Sequence, residues 1–263
     1  MNQPPHQPAL KQIAARAAVA LSLLSATAAP LQAQTLSRNI IVLDPAHGGT
    51  DTGARLTDKL AEKDFTLSFE QRLRPLLTAA GFTVVSTRDA DPSSTLTNDQ
   101  RAGTANHVHA LACLLLHATP SGSGVHISTS TLTPSNSSDS VPWNAAQSPY
   151  LYLSLRLANE LGVGLLHANI PPLLAHTTVH PIDNLTCPAI ALEVAPLTSS
   201  GNTTPITDTT YQQRVAQAIT TALISWRNHA APPSKPAIPK PPAPPAATPA
   251  QPAAPTSPAG APR

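Results

Sequence analysis

Three short, almost wholly apolar runs alternate with helical patterns along this chain, and together they predict an α/β fold. The runs are Ile40-Ile41-Val42-Leu43, Ala110 to Leu116, and Pro188-Ala189-Ile190-Ala191-Leu192. Continuous apolar strands of this kind are buried on both faces, as in a parallel-dominated sheet. Each run also delivers a chemically able side chain at or just beyond its carboxyl end, where open α/β sheets place their ligands. Those side chains are His47, His117 and Glu193.

At 263 residues the chain has room for one or two domains. Both ends read as dispensable, which leaves one domain of about 190 residues, enough to bury a single sizeable core. Charged residues make up only 11% and the formal net charge is +2. No basic run interleaves with aromatics, so nucleic acid is excluded as an expected partner. Only four glutamates occur, Glu62, Glu70, Glu160 and Glu193, and this scarcity makes each position informative. Cys113 and Cys187 do not make a disulfide framework. They read as small buried hydrophobes, and a bridge between them stays open if the protein is exported.

Taken in order, residues 1–33 read as a secretory signal peptide. Lys11 and Arg16 give the positive start, and Ala17 to Leu24 is apolar but too short to span a bilayer. Leu31-Gln32-Ala33 offers a cleavage site. No later apolar run reaches the ~20 residues of a membrane span, so none is expected in the mature chain. The folded domain is placed at 37–229. In its first turn Pro45 ends the opening strand, because it cannot donate to a ladder, and Gly48-Gly49 bends the chain sharply.

A helix is expected from about Ala61 to Ala80, with apolar residues at 65, 69, 73, 76, 77 and 80 and Gly81 closing it. Glu62 falls in its first turn, where the helix dipole favours a carboxylate. Pro75 lies deep inside and predicts a kink or break at a cost of ~3 kcal/mol. Thr83 to Thr87 reads as a strand, and Leu96 to Val108 as a helix capped near Thr97 or Asn98. After the apolar run that leads into His117, Gly124 to Thr131 alternates as a half-exposed strand near the sheet edge. His107 and His109 read as a solvated helix terminus, since no third ligand is near. A loop over 133–147, a helix from about Pro149 to Gly162, and a last helix from the N-cap Asp208 to Arg227 complete the domain. Residues 230–263, rich in Pro and Ala, cannot bury a core and are expected to be disordered.

Two imidazoles and a carboxylate, with a fourth position left for water, are the makings of a hydrolytic zinc site. Zinc polarises a carbonyl and lowers the pKa of its water to about 7. A second carboxylate is then needed to move a proton from that water to the leaving amine.

At these residues the sequence resembles the zinc-dependent N-acetylmuramoyl-L-alanine amidases of the type-3 family, over about residues 39–227. The family's Asp-Pro-Gly-His-Gly-Gly turn appears as Asp44-Pro45-Ala46-His47-Gly48-Gly49. Its Glu-Lys-Asp helix start is Glu62-Lys63-Asp64, and its Thr-Arg-Asp is Thr87-Arg88-Asp89. The Arg-x-x-x-Ala-Asn segment is Arg101 to Asn106, the histidine ligand motif is Leu115 to Thr119, and the Pro-Ala-x-x-x-Glu strand is Pro188 to Glu193. The resemblance implies a twisted, mostly parallel sheet with helices on both faces in a single catalytic domain. It implies His47, Glu62 and His117 as zinc ligands and Glu193 as the catalytic acid/base. The implied reaction cleaves the amide between N-acetylmuramic acid and L-alanine of the stem peptide, so the partner is peptidoglycan or its muropeptides, in the periplasm or cell envelope.

Four departures stand out. Ala46 replaces a glycine, Thr119 an asparagine, and Val194-Ala195-Pro196 the usual Val-Gly-Phe, while Asp183 sits where relatives often carry arginine. They leave two other readings, an exported zinc-containing wall-binding module with little turnover and a zinc peptidase acting on another peptide. Some relatives carry a long insertion whose helix plugs the zinc until a partner removes it. Here Leu132 to Ser148 is short, with Pro134, Pro142 and a single acidic residue, Asp139, so no activator is expected to be required.

Overall fold

The structure, a computed structural model, describes residues 37–135 and 141–229. The signal peptide, the Pro/Ala-rich tail and the centre of the 133–147 loop lie outside these residues. The strands are β1 (Ser37–Pro45), β2 (Arg55–Thr57), β3 (Leu60–Ala61), β4 (Thr83–Ser86), β5 (Ala110–Ala118), β6 (Val125–Thr129), β7 (Pro172–His176), β8 (Ala189–Val194), β9 (Leu197–Ser199) and β10 (Asn202–Thr204). The helices are α1 (Glu62–Ala79), α2 (Asn98–Asn106), α3 (Leu151–His167) and α4 (Thr209–His229).

Six strands form the main sheet in the order β4-β1-β5-β8-β6-β7. The first four are mutually parallel. β6 runs antiparallel to β8 and parallel to β7, so the sheet is mixed but mostly parallel. The three apolar runs are β1, β5 and β8, side by side at its centre. Their carboxyl ends therefore lie along one edge, as the α/β reading requires.

Helices cover both faces, unequally. Ile41, Leu43, Leu114, Leu116, Ile190 and Leu192 point into a large core filled by α1, α3 and α4. The intervening residues Val42, Cys113, Leu115, Ala189 and Ala191 face a smaller core under α2 and the turn at Ile182–Asn184. The period-2 alternation of each strand thus feeds two cores at once. α2 starts where the sequence placed a cap, with Thr97 and Gln100 forming a reciprocal capping box. Asp208 accepts from the backbone N–H of Tyr211 at 2.7 Å and caps α4.

One expectation is corrected, the break at Pro75. α1 runs unbroken through Pro75, which sits on the exposed side of the helix beside exposed Gln71. Pro75 leaves the Gln71 carbonyl without its helical donor, and packing of the buried face of α1 (Phe65, Phe69, Leu73, Leu77) holds the helix together across it. The strand at Gly124–Thr131 lies near the sheet edge as expected, one place in, because β7, not anticipated from sequence, pairs outside it. Cys113 and Cys187, left open between plain burial and a bridge, form a disulfide with Cα atoms 6.2 Å apart. Ala46 does not take a positive φ; the positive φ angles begin one residue later, at His47 (63°), Gly48 (128°) and Gly49 (62°).

Candidate metal centre

β1 ends at Pro45 and the chain turns into His47. Two buried guanidinium groups hold that turn by its carbonyls. Arg88 donates through Nε to Pro45 O at 2.8 Å and through NH2 to Ala46 O at 3.0 Å. Arg101 donates to Pro45 O and His47 O, and pairs with the buried Asp44 carboxylate at 2.6 Å. The Thr-Arg-Asp and Arg-x-x-x-Ala-Asn motifs thus act as a cage for the histidine turn. Between them they satisfy the carbonyls of residues 45–47, which the turn takes out of the strand ladder.

Glu62 opens α1 with its side chain only 7% exposed, and it bridges the two histidines. Its Oε2 lies 3.0 Å from His47 Nε2 and its Oε1 lies 3.0 Å from His117 Nδ1. The backbone N–H groups of Ala54 and Ala118 also donate to it, at 2.9 and 3.1 Å. Burial opposes ionisation of Glu62, but these four partners outweigh it and hold the carboxyl well below the usual carboxylate range. The hydrogen bond to Glu62 raises the pKa of His47 despite partial burial, with Asp51 adding to the effect.

Asp51 holds the far nitrogen of His47, Nδ1 to Oδ2 at 2.9 Å. That fixes the ring and directs Nε2 inward, the carboxylate–histidine pairing that orients metal ligands. Gly53 makes the close approach possible. A Cβ there would lie 2.5 Å from His47 Cδ2 and 2.7 Å from Glu62 Oε2, and its φ is +64°.

One ligand atom from each of His47, Glu62 and His117 lies within 4.8 Å of the others. Two imidazole nitrogens and one carboxylate are a set that zinc accepts with bonds of about 2 Å, leaving a fourth tetrahedral position. Among the described residues no lysine or arginine pairs with Glu62, whose hydrogen-bond partners there are the two imidazoles and two backbone N–H groups. The residues fit a zinc ion.

His117 and Glu193 are register partners on neighbouring parallel strands. By strand parity both lie on the α2 side of the sheet, with Cys113, Leu115, Ala189 and Ala191. Glu193 is 42% exposed, beside the donor set rather than inside it. A cleft of about 550 Å³ opens over the histidines, lined in part by Asp51, Thr97, Arg101 and His180. His107 and His109 are both exposed, at the end of α2, and join no such group among the described residues.

Two residues of the site escaped the sequence reading. Asp51 was legible only as loop, although a carboxylate four residues after a turn histidine is a usable signal. His126 looked like an ordinary polar position of an alternating strand, and its Nδ1 lies 2.8 Å from Glu193 Oε2.

A mostly parallel α/β sheet with a His-Glu-His donor set at its carboxyl edge defines the class, an α/β protein with a site suited to a divalent metal. A family model, Amidase_3, described as N-acetylmuramoyl-L-alanine amidase, matches residues 41–225. The chain belongs to this family, whose members are peptidoglycan hydrolases that cleave the amide between N-acetylmuramic acid and L-alanine. It is 30% identical to the germination-specific N-acetylmuramoyl-L-alanine amidase of Bacillus subtilis over 204 residues, 70% of this chain and 78% of that protein. Among solved structures, Ami1 from Mycobacterium smegmatis matches 74% of this chain and 99% of its own, with a TM-score of 0.59 and 21% identity. The catalytic domain of CwlV from Bacillus (Paenibacillus) polymyxa var. colistinus matches 72% of this chain and 98% of its own, at 0.55 and 24%. These two likenesses concern the fold.

Proposed function

We propose that this amidase is zinc-dependent, with His47, Glu62 and His117 as ligands and Glu193 as general base and acid. The observation that carries the reading is the convergence of three donor atoms around one buried carboxylate. When bound, zinc supplies a Lewis acid for the amide carbonyl and acidifies water.

The chain's own residues supply the rest. Asp51 keeps the His47 ring in one orientation through Nδ1, and Arg101 and Arg88 keep its backbone in place. Glu193, beside His117, takes the proton of the attacking water as the new C–O bond forms. It returns that proton to the nitrogen of L-alanine as the C–N bond breaks. The partly exposed position of Glu193 suits both transfers, since it reaches the substrate without entering the ligand set.

Export to the periplasm or cell envelope is part of the same proposal. It is supported by the signal-like residues 1–33 and by the Cys113–Cys187 bridge, which persists in oxidising compartments. No helix among the described residues is long and apolar enough to cross a membrane. We also propose that no activator is required. No described residue of the 133–147 loop lines the cleft over the histidines, and Trp143 is anchored by donating to Asp99 of α2 and accepting from Asn184 at its carbonyl.

The test is digestion of purified peptidoglycan by the mature chain alone. Zinc-loaded protein is expected to release stem peptides with a free L-alanine amino terminus, and chelation to stop it until zinc is returned. Full activity in metal-free protein would overturn the zinc reading. Cleavage inside the peptide, with no new L-alanine termini, would overturn the assigned bond. Activity that appears only with an added partner would overturn the last point.

A further inference from the structure

None of the motifs that carry the family resemblance includes His126, yet the fold sets it against the side chain on which the chemistry turns. β6 pairs antiparallel with β8, and His126 and Glu193 are register partners. Val125 and Ile127 point into the large core, so His126 points to the other face, the one that carries His117 and Glu193. Three adjacent strands therefore present a row, His117, Glu193 and His126, with the carboxylate in the middle.

We propose that His126 is a positioning residue for Glu193, a role that rests on Glu193 being the general base. An ionised carboxylate can only accept, so the hydrogen in the 2.8 Å contact sits on His126 Nδ1 and is donated to Glu193 Oε2. That occupies one carboxylate oxygen and leaves Oε1 for proton transfer. A glutamate at a partly exposed strand position otherwise samples several rotamers, and only some bring an oxygen within reach of the reacting atoms.

The imidazole is itself held. Gly122 turns its backbone against the ring edge with φ at +91°, and a Cβ there would lie 2.7 Å from His126 Cε1 and 2.8 Å from Nε2. The lack of a side chain at Gly122 lets the ring sit where Nδ1 meets Glu193. Stability gives little reason for the pair, because a single hydrogen bond to a carboxylate that is 42% exposed contributes little to it. Orientation of a reacting group is the effect such a contact can exert.

The test compares kcat, KM and zinc content for His126→Ala, His126→Asn, Glu193→Gln and the double variant His126→Ala/Glu193→Gln. His126→Ala is expected to lower kcat about 10–100-fold, the scale of a misplaced catalytic group, with KM and zinc content unchanged. Asparagine carries an amide N–H close to the Nδ1 position, so His126→Asn should recover most of the rate. In the Glu193→Gln background His126→Ala should cost nothing further, because its effect runs through Glu193. Wild-type kcat in His126→Ala alongside a slow Glu193→Gln overturns the role of His126 and leaves the general base standing. An equal loss in both backgrounds also overturns it, since His126 would then act independently. Wild-type kcat in Glu193→Gln removes the general base, and the positioning role with it.

Discussion

His47 adopts a left-handed backbone (φ 63°) that costs a non-glycine residue about 1–2 kcal/mol. Arg88 and Arg101 repay it by binding the carbonyls of residues 45–47. Gly53 fills the remaining space with backbone alone. Gly53→Ala is expected to weaken zinc binding by at least about tenfold, the scale of changes just outside a metal's ligands. Isothermal titration of the metal-free protein measures this, and an unchanged affinity would show that the contact yields freely. His47, Glu62, His117 and Glu193 were legible in the sequence because each stands at the end of a strongly patterned element, where packing offers it no use. Asp51 and His126 were not, because their roles arise from a turn's shape and from a strand pairing that local pattern does not encode.

At the level of elements, the disulfide ties β5, which carries His117, to the segment that leads into β8, which carries Glu193. Cys113 lies four positions before His117 on β5, and Cys187 two residues before the start of β8. The bridge spans 74 residues of sequence, and closing a loop of that length constrains the unfolded chain by about 4 kcal/mol in the entropy model. The double variant Cys113→Ala/Cys187→Ala is expected to lose about 2–4 kcal/mol in urea unfolding. The same loss should appear in the native protein under reductant, and no loss in either would mean the bridge does not form. The pairing was left open by sequence, since two cysteines in apolar runs are compatible with a bridge or with plain burial. β7 was missed for a related reason. Pro171-Pro172 breaks the pattern before it, and its Leu173 and Leu174 face outward, so neither alternation nor burial marks it as a strand.

At the level of the whole molecule, the α/β architecture follows from three apolar strands that must be covered on both faces. Their parallel order gathers His47, His117 and Glu193 on one edge, and α1 brings Glu62 back to meet them. The reversal of β6 and β7 was not visible in the sequence, yet that antiparallel pairing is what sets His126 beside Glu193. The central claim is that three of these residues bind metal while Glu193 moves the proton. Measuring zinc content and hydrolysis rate together in Glu193→Gln tests it most directly. The account predicts one zinc per chain, as in wild type, with the rate lower by about 10²–10⁴-fold. A variant that loses its zinc would make Glu193 a ligand and contradict the assignment, and one that keeps both its zinc and its full rate would deny Glu193 any part in the chemistry.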